Sequence, residues 1–188
     1  MRNLFLFMMV SVDGYFEGPG HDLSWHNVDA EFNAFAHEQL SDKADTILFG
    51  HRTYDLMANF WPTPKGMEDD PETARYMNET EKIVASHTPF TPEWAHTKVI
   101  HEDVIGEIKK LKAGSGKDIV ILGSNMLCVS LMEAGLVDEF RIMVNPVALG
   151  SGTPLFAGLS KRVKLKLTRV REFKSGNVLN YYRQSTNL

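Results

Sequence analysis

In two places an apolar run stops at a glycine and a hydroxyl residue follows within three positions. These are Thr46-Ile47-Leu48-Phe49-Gly50-His51-Arg52-Thr53 and Ile119-Val120-Ile121-Leu122-Gly123-Ser124. Each run reads as a short buried strand, and the residues after each glycine as the start of a helix. A helix leaves its first amide groups unpaired, and its dipole makes that end electropositive. Such a corner suits a phosphate, and Arg52 adds a guanidinium beside the first one. Two corners on strands able to lie side by side suit a dinucleotide-sized ligand, although neither reads G-x-G-x-x-G. On this reading, valine at Gly123 is expected to block the ligand and spare the fold. A third candidate is Ser11-Val12-Asp13-Gly14-Tyr15, in a glycine-rich loop after the first apolar run. Asp13 reads either as a catalytic or substrate-contacting carboxylate or as an Asp-Gly turn residue. His21, His26 and His37 lack the spacing of a helix-borne ligand pair, so they read as loop or solvated histidines and no metal is expected.

The elements that must carry these residues follow from periodicity. Residues 4–10 are almost continuously apolar and suit a central strand covered on both faces. Val28, Phe32, Phe35, Ala36 and Leu40 share one face of a helix over about 28–40. Thr53 is expected to cap a helix through Tyr54, Leu56 and Met57 that ends at Phe60-Trp61-Pro62. Residues 65–78 are polar and read as a surface excursion with a short helix near 73–78, either a lid or a tolerated insertion. Further strands are expected at 82–85, leading into Ser86 and His87, and at 98–100, 118–122 and 139–144, with helices at 104–111 and 125–134. Val163, Leu165 and Leu167 alternate with lysines, and residues 178–183 return as a hairpin partner after the turn Lys174-Ser175-Gly176-Asn177. Strands alternating with helices, then an antiparallel pair at one edge, define an α/β domain over 1–188.

Composition narrows the partners. With 188 residues, 43% hydrophobic and 23% charged, the chain suits one sizeable core. A net charge of −4 argues against nucleic acid as a partner. Cys128 is the only cysteine, which rules out an internal disulfide and a cysteine-based zinc site. No apolar run reaches transmembrane length and the first strand starts too early for a signal peptide, so a cytoplasmic protein without a membrane partner is expected.

Several segments in order carry a family likeness: Ser11-Val12-Asp13-Gly14-Tyr15; Gly50-His51-Arg52-Thr53-Tyr54 with Phe60-Trp61-Pro62; Leu122-Gly123-Ser124; Gly135-Leu136-Val137-Asp138-Glu139-Phe140; Pro146-Val147-Ala148-Leu149-Gly150-Ser151-Gly152; and Leu155-Phe156. Together they resemble the dihydrofolate-reductase-like superfamily, and within it the reductase domain of bifunctional riboflavin-biosynthesis deaminase/reductases. The resemblance implies a three-layer sandwich: a mixed, mostly parallel sheet, helices on both faces and a C-terminal antiparallel hairpin. It implies NADPH as hydride donor, a small heterocyclic substrate and a homodimer. Carried over, Gly50, His51, Arg52 and Thr53 would hold cofactor phosphate, with Ser86 and His87 near the adenosine 2′-phosphate. Leu122, Gly123 and Ser124 would meet the pyrophosphate. Asp13 and Gly14 would lie beside nicotinamide or substrate, with Asp13 as the catalytic residue, and Phe32 would face the substrate.

Three departures from the family stand in the sequence. His51 replaces an arginine usual in the family. Val28 stands one turn before Phe32, where folate reductases place a carboxylate, and Asp29 is only adjacent. The single cysteine leaves no zinc deaminase module. The resemblance implies reduction of a 5-amino-6-(5-phosphoribosylamino)uracil type of substrate, whose phosphate needs a cationic clamp that the sequence does not identify; Lys65 and Arg75 are candidates but read more simply as solvated residues. A dihydrofolate-type, general pteridine or xenobiotic reductase, and a non-catalytic nucleotide-binding protein, stand as alternatives.

Overall fold

A computed structural model describes residues 1–185. Strand β1 (Leu4–Ser11) is buried along its whole length, as a central strand must be. Its side chains alternate between two cores. Leu4, Leu6, Met8 and Val10 join one cluster, and Phe5, Phe7 and Met9 join the other. The chain then passes through β2 (Tyr15–Glu17), α1 (Ala30–Ala36), β3 (Ala44–Gly50), α2 (His51–Ala58), α3 (Pro64–Asp69) and α4 (Pro71–Glu79). It continues with β4 (Glu81–Ala85), β5 (Thr97–Ile100), α5 (Val104–Ala113), β6 (Asp118–Leu122) and α6 (Asn125–Glu133). It ends with β7 (Glu139–Asn145), β8 (Thr153–Pro154), β9 (Leu165–Glu172) and β10 (Val178–Gln184).

The main sheet has eight strands in the order β5-β4-β3-β6-β1-β7-β10-β9. Pairs from β5 through β7 are parallel, while β10 runs antiparallel to both β7 and β9. One face carries α5 and α6, through Ile108, Leu127 and Leu131. The other carries α1, α2 and α4, through Phe35, Tyr54 and Met77. The expected three-layer architecture is therefore observed, with the hairpin at one edge.

Three local differences bear on function. The first helix is regular only to Ala36, and His37–Ser41 continues it as a wider turn. Helix α2 starts at His51 with Gly50 as its cap residue, so Thr53 lies inside the first turn and does not cap it. The polar excursion is two helices. Thr63 caps α3 and Asp70 caps α4, each followed by proline at the first helical position. That pairing of cap and proline was the available signal. Helix α4 buries Ala74 and Met77, the latter in the core on this face of the sheet, so it is not a loose insertion. A small second sheet joins β2 to β8 and ties the two glycine-rich loops together.

Candidate active site

Strands β3 and β6 are neighbours, with Leu48 beside Ile121, so their two glycine corners open on the same end of the sheet. The corners are laced to each other. Ser124 Oγ accepts from the Gly50 amide at 2.7 Å and donates to Thr53 Oγ1 at 2.8 Å. Gly123 has a φ of +62°, and a Cβ there would lie 2.7 Å from the Thr53 methyl. Packing and backbone thus require glycine at 123, and the expectation that valine would spare the fold is corrected. Helices α1, α3, α4 and α5 are capped by Asp29, Thr63, Asp70 and Asp103, whereas α2 and α6 have no side-chain cap. The two uncapped helix starts are the two corners, and that is where an anion finds unsatisfied donors.

Beside them lies a cavity of about 480 Å³. Arg52, Thr53, Leu122 and Gly123 are on its wall together with Glu17 and His21, and much of the remaining wall is apolar, including Phe32, Leu40, Met57, Trp61 and Met77. Phe32 packs 6.2 Å from Phe7, which places the predicted substrate-facing aromatic on the wall. Val28 is on the wall too, while the Asp29 carboxylate accepts from the Phe32 amide as a helix cap. His26 Nε2 and Tyr76 Oη are buried without a hydrogen-bond partner. Burial lowers the pKa of the His26 imidazole and raises that of the Tyr76 phenol, leaving both neutral near pH 7.

Glu17, Thr153 and their convergence on Arg52 escaped sequence reasoning. The buried Glu17 carboxylate accepts from Thr153 Oγ1 at 2.6 Å and from Arg52 Nη2 at 2.7 Å, and lies 3.1 Å from His21 Nδ1. Burial pushes its pKa up, but the Thr153 hydroxyl, His21 and Arg52 outweigh that and hold it below the ordinary value. No spacing in the sequence links positions 17, 52 and 153; only the β2–β8 pairing and the corner bring them together.

Asp13 is exposed and absent from the cavity wall. Its carboxylate accepts from the Gly150 amide at 2.7 Å and from Leu149 at 3.1 Å. The Ser11 hydroxyl, then the Gly150 and Leu149 amides, hold its pKa at about 2. Gly14 likewise stands outside the wall and accepts from the Leu155 amide. Away from the cavity, Ser86 Oγ lies 3.1 Å from His51 Nδ1 and donates to the Thr88 carbonyl at 2.6 Å. The His51 ring stacks on Phe90 at 4.0 Å. His87 is exposed beyond them at the end of β4. Lys65 pairs with Asp69, and neither Lys65 nor Arg75 lines the cavity.

Comparison with known proteins gives a consistent picture. A model of the RibD C-terminal domain matches residues 2–179. The Bacillus subtilis (strain 168) protein YyaP, itself uncharacterized, is 32% identical over 181 residues, covering 96% of this chain and 94% of that one. Among solved structures, a Shewanella sp. PV-4 protein assigned to riboflavin biosynthesis aligns with a TM-score of 0.73 at 21% identity, covering 98% and 99% of the two chains. Dihydrofolate reductase from Enterococcus faecalis, complexed with NADP(H) and RAB-propyl, aligns with a TM-score of 0.65 at 15% identity, covering 97% and 96%. The fold is thus that of the dihydrofolate-reductase-like superfamily.

Proposed function

The chain belongs to the RibD C-terminal domain family, and on that premise we propose that it is an NADPH-dependent reductase of a small heterocyclic substrate. The observation that carries this reading is the pair of uncapped helix starts, side by side and opening on one cavity with Arg52 on its wall. A pyrophosphate offered to α2 and α6 gains amide donors that nothing else caps, and Arg52 adds a charge-assisted bond. NADPH when bound supplies the hydride; the protein supplies orientation and a dry wall. Ser86 and His87, at the end of the strand next to β3, are the groups proposed for the adenosine 2′-phosphate. His51, tied to Ser86 and stacked on Phe90, holds that end of the crevice in shape. Phe32 is proposed to face the substrate. Asp13 is proposed as a positioning residue that fixes the loop carrying Gly14 to residues 149–150, close to the nicotinamide.

Calorimetric titration of NADPH against NADH tests the proposal. Saturable NADPH binding, with NADH weaker by about tenfold or more, is the expected result for a phosphate-reading site. Equal affinities would remove the 2′-phosphate pocket, and no binding of either would remove the reductase reading.

A further inference from the structure

The wall of the cavity restricts what can be reduced there. Beyond the corner holding Arg52 it is mostly apolar, with Phe7, Phe32, Leu40, Met57, Trp61 and Met77 interrupted by a few polar groups such as Asn33, Ser41 and Thr73. Its formal charges are few. Glu17 pairs with Arg52 at 2.7 Å and lies 3.1 Å from His21, which is on the wall and remains its neighbour when Arg52 turns to a cofactor phosphate, and Asp70 is committed to capping α4. His26 and Tyr76 are neutral for the reason already given, burial. No lysine lines the wall, and its one arginine is the cofactor's proposed partner. A phosphate or carboxylate entering this space gives up its water and gains no lysine or second arginine in return, and the one wall histidine near the corner, His21, already faces Glu17. A flat uncharged ring instead buries its faces against aromatic and methionine side chains.

We infer that the substrate is an uncharged, flat, predominantly apolar ring compound that carries no phosphate or carboxylate. The inference rests on the NADPH-reductase reading of the same cavity, and it departs from the phosphorylated ribosylaminouracil that the family resemblance implies. In net terms, a hydride and a proton add across a C=O or C=N bond of the ring. NADPH is oxidised to NADP⁺, and water supplies the proton.

The test is calorimetric binding of three probes, each with and without the oxidised cofactor NADP⁺, which cannot turn them over: 1,4-naphthoquinone, its 2-sulfonate, and 5-amino-6-(5-phosphoribosylamino)uracil. The neutral quinone is expected to bind about tenfold or more tightly than either charged compound. Leu56→Arg adds a cation at a wall position that is 48% exposed, so folding is not at risk, and it is expected to narrow that gap. Equal or tighter binding of a charged probe by the wild type overturns the inference. So does failure of the quinone to bind, or a gap that Leu56→Arg leaves unchanged. NADPH titrated alone reads the cofactor assignment separately. Quinone selectivity without NADPH binding would overturn that assignment and still uphold the ligand class.

Discussion

Arg52 has two claims on its guanidinium. In the ligand-free protein it pairs with Glu17, and in the proposed complex it turns to a phosphate. Its side chain is 60% exposed, so solvent screening keeps the energy at the low end for a charged hydrogen bond. Arg52→Ala is expected to raise the NADPH dissociation constant by about tenfold. Glu17→Gln keeps an acceptor for Thr153 and frees Arg52, so its NADPH affinity should not fall. An unchanged constant in Arg52→Ala would refute the phosphate role. Asp13 poses a different question at the same scale. Its pKa is depressed from 3.8 to about 2, so its contribution to stability is complete above 3.8 and disappears as pH falls through 2. Urea midpoints measured between those values should fall less for Asp13→Asn than for the wild type. An identical acid response would mean that the loop clamp adds nothing to folding.

At the scale of elements, two junctions are under tension. Lys82 opens into the C-terminal end of α4, where its fully buried ammonium donates to the carbonyls of Met77 and Thr80 at 2.8 and 2.7 Å. The ring of Trp94 lies 4.6 Å away. Burial lowers its pKa from 10.5 to about 8, so the unfolded chain binds more protons between those values. Stability should therefore rise as pH climbs through that window, and Lys82→Met should abolish this component. At pH 7 the same variant leaves the carbonyls without a donor and should cost about 1–3 kcal/mol in chemical denaturation. The β6–α6 corner is the second junction. Gly123→Ala adds a Cβ at a positive φ and against the Thr53 methyl, with an expected loss of about 1–3 kcal/mol. Thr53→Ser removes that methyl, so the double variant should lose less than the two single losses added together. Strict additivity would show that the two side chains do not press on each other.

At the scale of the whole molecule, the candidate crevice is walled by α1, α2 and α4 on one side of the sheet and floored by β1. Parallel strands deliver all their C-terminal ends to the same rim, which is why corners far apart in sequence meet there. We propose, as the family resemblance implies, that the chain forms a homodimer. Light scattering should then return twice the 21.2 kDa of one chain, and a mass of one chain would remove it.

The sequence by itself determined the strands of the main sheet, because apolar runs and a strict alternation have few alternatives to a sheet, whereas the short β2 and β8 read as loops. It determined both glycine corners, the closing hairpin and the family likeness. Capping fixed α3 and α4 just as firmly, in Thr63-Pro64 and Asp70-Pro71, yet polarity disguised a helix whose buried face is only Ala74 and Met77. What only the tertiary structure decided was which groups meet. Glu17, Arg52 and Thr153 converge through strand order and a two-residue pairing, and no local pattern encodes such a distance. Likewise, Gly123 reads in sequence as room for a ligand. In the folded chain a Cβ there would meet the Thr53 methyl, because packing between the two strand–helix corners is a property of the fold and not of either segment alone.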